Sequence, residues 1–255
     1  MNPLIYDRLH SNLLYLKLNT VEQTLDNYLE LAAKDGRTTM EVLDHLFEQE
    51  RKHREAAAIG RRTKLAVFPI RKTLDEFDLD FQLSIDRAVI DDLATLRFVH
   101  NEENVVLLGP PGVGKTHLAI ALGMETVKAG FSVYFINAGN LIERLKKANR
   151  EGILEKKLRE FTRYKLLIID EMGYLPFDEE GAHCFFQLIS KRYERSSTIF
   201  TSNKSYGQWG EIFQDNVIAS AVLDRILHHC TTINIKGESY RLKDRRKVGL
   251  QIGKL

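Results

Sequence analysis

Val105-Val-Leu-Leu108 runs directly into Gly109-Pro-Pro-Gly112-Val-Gly114-Lys115-Thr116, and that stretch into His117-Leu-Ala-Ile-Ala-Leu122. An apolar strand, a glycine-rich loop and a helix follow one another without a gap. In such a loop successive backbone N–H groups turn inward and, with the N-terminus of the next helix, form a concave anion site. Bulky residues at Gly112 and Gly114 would keep it from closing around a phosphate. Lys115 would then sit beside the β- and γ-phosphates of ATP, and Thr116 would ligate Mg²⁺. The expected cofactor-binding residues are Gly109, Pro110, Pro111, Gly112, Val113, Gly114, Lys115, Thr116 and His117. A plain Gly/Pro turn would leave Lys115 unexplained, as a cation at the positive end of a helix dipole with no anion to meet.

From Asn104 the chain alternates short apolar runs with amphipathic helical stretches. Strands are expected at 105–108, 132–136, 166–170, 197–202 and 231–235. Strands separated by helices of this length form a parallel sheet covered on both faces, with ligands outside the carboxyl ends of the strands. Gly109, Asp170 and Ser202 all fall at such ends. The fold class is α/β, a P-loop domain whose five-stranded parallel sheet lies between helices, and motifs distant in sequence converge on one edge.

Leu166-Leu-Ile-Ile-Asp170-Glu171 carries two carboxylates out of a buried strand. Asp170 can hold the Mg²⁺ shell with Thr116, while Glu171 can orient and polarise a water for attack on the γ-phosphate. An acid after an apolar strand is common by chance, and the phosphate loop upstream is what gives this one meaning. The adjacent Glu171 favours hydrolysis over transfer to a metabolite, because a small-molecule kinase needs no water-activating carboxylate there. Thr198-Ile-Phe-Thr-Ser-Asn203 ends another strand with a short amide; Asn203 either positions the attacking water or caps the next turn. In Ala221-Val-Leu-Asp224-Arg225-Ile-Leu227, Arg225 either pairs with the surroundings of Asp224 or is a finger offered to the ATP of the next subunit. A finger in trans would make hydrolysis depend on assembly.

The N-terminal residues read as a small all-α module. Val21, Leu25, Tyr28, Leu29 and Leu31 share helical spacing and stop at Lys34-Asp-Gly36, as a helix with a glycine cap would. A third helix starts at Thr38-Thr39 with Glu41 placed to cap it, carries Val42, Leu43, Leu46 and Phe47 toward a core, and then turns basic. Pro69 is expected to end the module. The expected organisation is a helical domain over 1–70 for self-association or partner docking, a linker and first helix over 71–103, and an ATPase domain over 104–255.

The net charge of +2 says little about nucleic acid, but its distribution says more. Residues 51–72 hold eight Lys/Arg against the single acid Glu55, and Arg241, Lys243, Arg245, Arg246 and Lys247 form a second cluster. These are either a polyanion-binding surface or solvated helix faces. No apolar run approaches a membrane span, and Met1-Asn-Pro-Leu-Ile-Tyr-Asp7 lacks the features of a secretion signal, so a soluble cytoplasmic protein without membrane contact is expected. Cys184 and Cys230 are far apart with no C-x-x-C spacing, which suggests buried free thiols.

The phosphate loop, the Asp170-Glu171 pair, Asn203 and Asp224-Arg225-Ile-Leu227, in this order and spacing, resemble the AAA+ ATPases of the initiator and helicase-loader clade. Within that clade the chain is similar to the IstB family, ATP-dependent transposition helpers encoded beside the transposase of bacterial insertion sequences. Glu48-Gln-Glu-Arg51, Phe68-Pro69, Lys72-Thr-Leu-Asp-Glu-Phe77-Asp78, Asp170-Glu-Met-Gly-Tyr-Leu175-Pro176 and Ser239-Tyr-Arg241 are typical of it, so the likeness runs nearly end to end. The helicase loader DnaC is a relative by design. The resemblance implies that Arg225 is the arginine finger and Arg241 a second sensor for the γ-phosphate, although Arg241 also lies in a basic run that could be solvated. It implies a helical insertion after the second strand that holds DNA in the centre of a helical assembly. Segment 140–161 fits that insertion and offers Arg144, Lys146, Lys147, Arg150, Lys156, Lys157 and Arg159. Without the resemblance the same segment reads as an amphipathic helix pair with solvated lysines.

The implied activity is Mg²⁺-dependent ATP hydrolysis by a homo-oligomer with ATP sites between subunits. The implied partners are duplex DNA without strong sequence preference and a cognate transposase, which is recruited and activated before hydrolysis disassembles the complex. A helicase loader on single-stranded DNA would share every ATPase residue, but 140–159 lacks the aromatics that stack single-stranded bases, and the N-terminal module lacks a Cys/His zinc cluster. A metabolic kinase with a small acceptor is the third reading.

Overall fold

The computed structural model describes residues 3–240. The chain divides into two compact units between Arg61 and Arg62. The first contains α1 (Pro3–Tyr15), α2 (Asn19–Asp35) and most of α3 (Thr39–Ala66). Gly36 ends α2 in the left-handed conformation, φ 67°, where a side chain is disfavoured. Thr38 and Glu41 form the expected capping box: Thr38 N–H donates to Glu41 Oε2 at 2.7 Å, and Glu41 N–H donates to Thr38 Oγ1 at 3.4 Å. Leu13, Val21, Leu25, Ala32, Val42 and Leu46 make the core of this unit.

Two of the apolar residues expected in that core are not there, since Leu43 and Phe47 are exposed. The compensation is polar. Glu50 is buried and accepts from Thr20 N at 2.8 Å, Val21 N at 3.3 Å and Arg54 Nε at 2.7 Å, so it closes the start of α2. Arg51 and Lys52, at the start of the basic stretch, both pair with Glu48 on the same helix. α3 ends at Ala66, where Val67 turns to φ 56°, ahead of Pro69.

The second unit begins with α4 (Arg87–Ala94) and α5 (Arg97–His100) and continues as β1 (Asn104–Leu108), α6 (Lys115–Lys128), β2 (Val133–Asn137), α7 (Ala138–Arg150), α8 (Leu154–Thr162) and β3 (Leu166–Met172). It closes with α9 (Glu179–Arg192), β4 (Ser197–Ser202), a 3₁₀ turn (Tyr206–Gln208), α10 (Trp209–Phe213), α11 (Asn216–Leu227) and β5 (Cys230–Asn234). All strand pairs are parallel, in the order β2-β3-β4-β1-β5. The chain leaving β1 must pass β4 and β3 to reach β2 at the edge, and this switch opens a crevice at the carboxyl end of β1. Leu166 to Ile169 are fully buried, as a strand covered on both faces requires.

Arg192 is also fully buried, with no carboxylate beside it. Its guanidinium donates to Thr198 Oγ1, Phe161 O, Tyr164 O and Ser197 O, which ties the end of α8 to the start of β4, and burial holds its pKa down to about 9. Both cysteines are free thiols; Cys184 is buried as expected, but Cys230 is only partly so. Among the described residues no helix is long and apolar enough to cross a membrane.

Candidate nucleotide site

The phosphate loop leaves β1, between β4 and β5, where Gly109 N–H donates to Ser202 O on β4 at 3.2 Å. Gly112 and Gly114 both have positive φ, 85° and 100°, which only glycine adopts without strain. Space is equally tight. A Cβ on Gly112 would collide with the Ser239 side chain, and one on Gly114 would lie 2.7 Å from Phe77 Cε2. Lys115 opens α6 and donates to Gly109 O at 2.6 Å and Pro110 O at 2.8 Å. His117 Nε2 donates to Thr73 O at 2.9 Å, and its ring meets the edge of Phe77 at 5.3 Å, so its side chain anchors the linker against α6. Burial lowers the His117 pKa and favours the neutral imidazole.

The loop forms one wall of a cleft of about 410 Å³. Phe77, Asp78, Gln82 and Tyr240 supply much of the rest. Tyr240 N–H donates to Gly112 O at 2.9 Å, and its ring stands edge-on to Phe81 at 5.2 Å. Reading the sequence placed these residues in a linker or a basic tail and missed them as walls. The aromatics in 74–81 were the available signal.

Asp170 and Glu171 leave β3 at the same sheet edge. Asp170 is buried, and its Oδ1 accepts from Thr116 Oγ1 at 2.9 Å and Thr201 Oγ1 at 2.6 Å. Burial raises its pKa; the two hydroxyls and the Lys115 charge oppose that rise. Glu171 is exposed and its Oε2 accepts from Asn137 Nδ2 at 2.5 Å. Asn137 and Thr201 were not singled out from sequence, because nothing local marks an Asn ending β2 or a Thr inside β4 as a partner of these acids. A hydroxyl next to a buried carboxylate oxygen is the donor set that a hard divalent cation prefers, so Thr116 and Asp170 fit Mg²⁺.

Asn203 lies just past β4, exposed, and makes no side-chain hydrogen bond among the described residues, so nothing ties it to Asp170. Arg225 on α11 donates to Ala221 O at 2.8 Å and lies 4.7 Å over the Phe186 ring, and it pairs with no acid among the described residues. Arg241 lies outside the described residues, together with the rest of the second basic cluster. Segment 140–161, where the resemblance implies an insertion, folds as most of α7 and α8, between β2 and β3. Lys146 bonds Asp178 and Arg150 bonds Glu180, fastening α7 to the start of α9. Arg144 donates to Tyr134 OH at 2.7 Å, and Lys157 pairs with Glu160 at 2.6 Å. Lys147 is exposed and only 3.9 Å from Glu151 at its closest, while Lys156 and Arg159 are exposed without an ion pair among the described residues.

Comparison with known proteins agrees with this geometry. Residues 11–248 match the family described as IstB-like ATP binding protein. The chain is 50% identical over 235 residues to the ATP-binding protein of insertion sequence IS21 from Pseudomonas aeruginosa, covering 92% of this chain and 89% of that protein. It is 47% identical over 240 residues to the IS5376 ATP-binding protein from Geobacillus stearothermophilus, covering 94% and 96%. Among solved structures it resembles DnaI, with 25% identity, a TM-score of 0.53 and coverage of 66% of this chain and 90% of that one. The fold is shared with AMPPCP-bound DnaA from Aquifex aeolicus, at 18% identity and a TM-score of 0.56 over 74% of this chain and 59% of that one. A P-loop after β1, an acidic pair on its neighbour but one, and identity running through both units have one source: the chain belongs to the IstB-like ATP binding protein family of insertion sequences.

Proposed function

We propose that this chain is a Mg²⁺-dependent ATPase that assembles on duplex DNA with ATP, recruits and activates the transposase of its insertion sequence, and disassembles on hydrolysis. The observation that carries hydrolysis is Glu171, an exposed carboxylate directly after a buried Asp170 that is bonded to the P-loop Thr116. The backbone N–H groups of 112–116 bind the phosphates, and Lys115 exchanges two loop carbonyls for phosphate oxygens. Thr116 and Asp170 would hold Mg²⁺, which would supply charge neutralisation for the phosphates. Glu171 takes a proton from the attacking water, with Asn203 orienting it. Phe77, Gln82 and Tyr240 enclose the nucleoside.

Arg225 is read as a finger for the ATP of a neighbouring copy, and Arg241 as a γ-phosphate sensor. The α7/α8 pair is read as the DNA element. Lys147, Lys156 and Arg159 offer the outward charge, with Arg144, Lys146, Arg150 and Lys157 able to exchange their present partners for phosphates. The N-terminal unit is assigned to self-association or partner docking.

ATP turnover and particle size, measured with no DNA, duplex DNA or single-stranded DNA at two salt concentrations, test this reading. Duplex-dependent stimulation and ATP-dependent assembly that fade with salt are expected, because phosphate contacts release counterions. Preference for single strands would replace it with a helicase-loader function, and indifference to both would remove DNA as the partner.

A further inference from the structure

We propose that Thr201 is a positioning residue for ATP hydrolysis: its hydroxyl holds a β-bulge that lets the consecutive carboxylates Asp170 and Glu171 serve one site. This rests on the reading of Glu171 as the base. In a regular strand consecutive side chains point to opposite faces, so an Asp-Glu pair would be split between the two sides of the sheet. Here β3 pairs Ile169 with Phe200 and next Met172 with Ser202, leaving Asp170 and Glu171 opposite Thr201 alone. Two residues against one is a bulge, which re-aims side chains and leaves a backbone group to be satisfied.

Thr201 satisfies it. The residue is buried, its Oγ1 donates to Asp170 Oδ1 at 2.6 Å, and the same oxygen accepts from Glu171 N–H at 2.9 Å. One hydroxyl thus uses its donor on the first bulge residue and a lone pair on the second, which neither Val nor Ala can do. Glu171 is meanwhile held at φ 63°, a left-handed conformation that a non-glycine residue keeps only when its surroundings enforce it. Asp170 therefore faces Thr116 while Glu171 reaches Asn137 at the end of β2. Were the ladder to relax to regular pairing, Glu171 would rotate away from that edge.

Thr201→Val keeps the shape and removes the hydroxyl, and Thr201→Ser keeps the hydroxyl. The valine variant is expected to lose about 10²-fold in kcat, the usual worth of a positioned base, with ATP affinity within about threefold of wild type by titration of a fluorescent ATP analogue. The serine variant should recover most of the turnover. In a Glu171→Gln background Thr201→Val should add almost nothing, since its effect passes through Glu171; an equal further loss there would mark a merely structural role and overturn the proposal. Should the valine variant not fold, Thr201→Cys, a weak donor of similar size, takes its place. Turnover within about threefold of wild type in the valine variant, or in the cysteine variant where it stands in for it, overturns the assignment. Wild-type turnover that is unaffected by Glu171→Gln instead removes the reading of Glu171, and this proposal with it.

Discussion

Asn137 joins Glu171 to the start of α7. Its Nδ2 donates to Glu171 Oε2, and its Oδ1 accepts from Gly139 N–H at 2.9 Å as the N-cap of the helix. A single amide is thus bonded both to the candidate base and to the element read as the DNA contact, so a shift of α7 moves a hydrogen bond to the base. Asn137→Ala is expected to bring DNA-free and duplex-stimulated turnover closer together, and to cost about 1 kcal/mol through loss of the cap. Steady-state ATPase assays with and without duplex, plus denaturant unfolding, read both effects.

Lys115→Ala and Glu171→Gln should separate binding from chemistry. The first removes a phosphate contact and should abolish ATP binding and assembly. The second keeps the loop intact and should bind ATP while losing about 10²–10⁴-fold in kcat, leaving the ATP-bound assembly trapped on DNA. Equal turnover in both variants and wild type would refute the site.

Gly114→Ala should weaken nucleotide binding by about 1–3 kcal/mol, since it combines a left-handed φ with a collision against Phe77. Phe77→Ala alone removes a wall of the cleft and should weaken binding as well, but Phe77→Ala/Gly114→Ala should lose less than the sum of the two, because the collision goes and the dihedral stays. Isothermal titration with ATP measures the two contributions.

Lys147→Gln and Lys156→Gln should each weaken duplex binding and reduce the slope of log affinity against log salt by about 0.9, equally for unrelated sequences. Arg150→Gln also breaks the bond to Glu180 and should lower thermal stability as well, which the other two should not.

Glu50 should make the N-terminal unit sensitive to acid. Burial opposes its ionisation, but the Arg54 guanidinium and the Thr20 and Val21 N–H groups outweigh it and hold its carboxyl below the usual range. A depressed carboxylate contributes stability that is fully present above its unfolded pKa and is lost as pH falls through the folded one. Unfolding followed from pH 7 downward should show this loss below about pH 4.5, and Glu50→Gln should flatten the dependence while costing about 1–3 kcal/mol at pH 7.

Local sequence was enough to specify the P-loop, the parallel α/β plan and the carboxyl-edge location of Asp170 and Glu171. Each of these follows from local order: strand period, loop glycines and helix period act over a few residues, and the five observed strands lie within a residue or two of the expected ones. The capping box at Thr38 and the stop at Gly36 were legible for the same reason. Tertiary structure alone decided the partners. Thr201 meets Asp170 because β4 lies beside β3, Asn137 meets Glu171 because β2 flanks the other side, and Tyr240 reaches Gly112 after the whole sheet has formed. Lys146 and Arg150, which look free in the sequence, pair with Asp178 and Glu180 at the start of α9. Spacing along a chain fixes which face or edge a side chain occupies, but a bulge, a buried hydroxyl bridge or an ion pair depends on which strand becomes the neighbour, and that is set by the burial of the whole core.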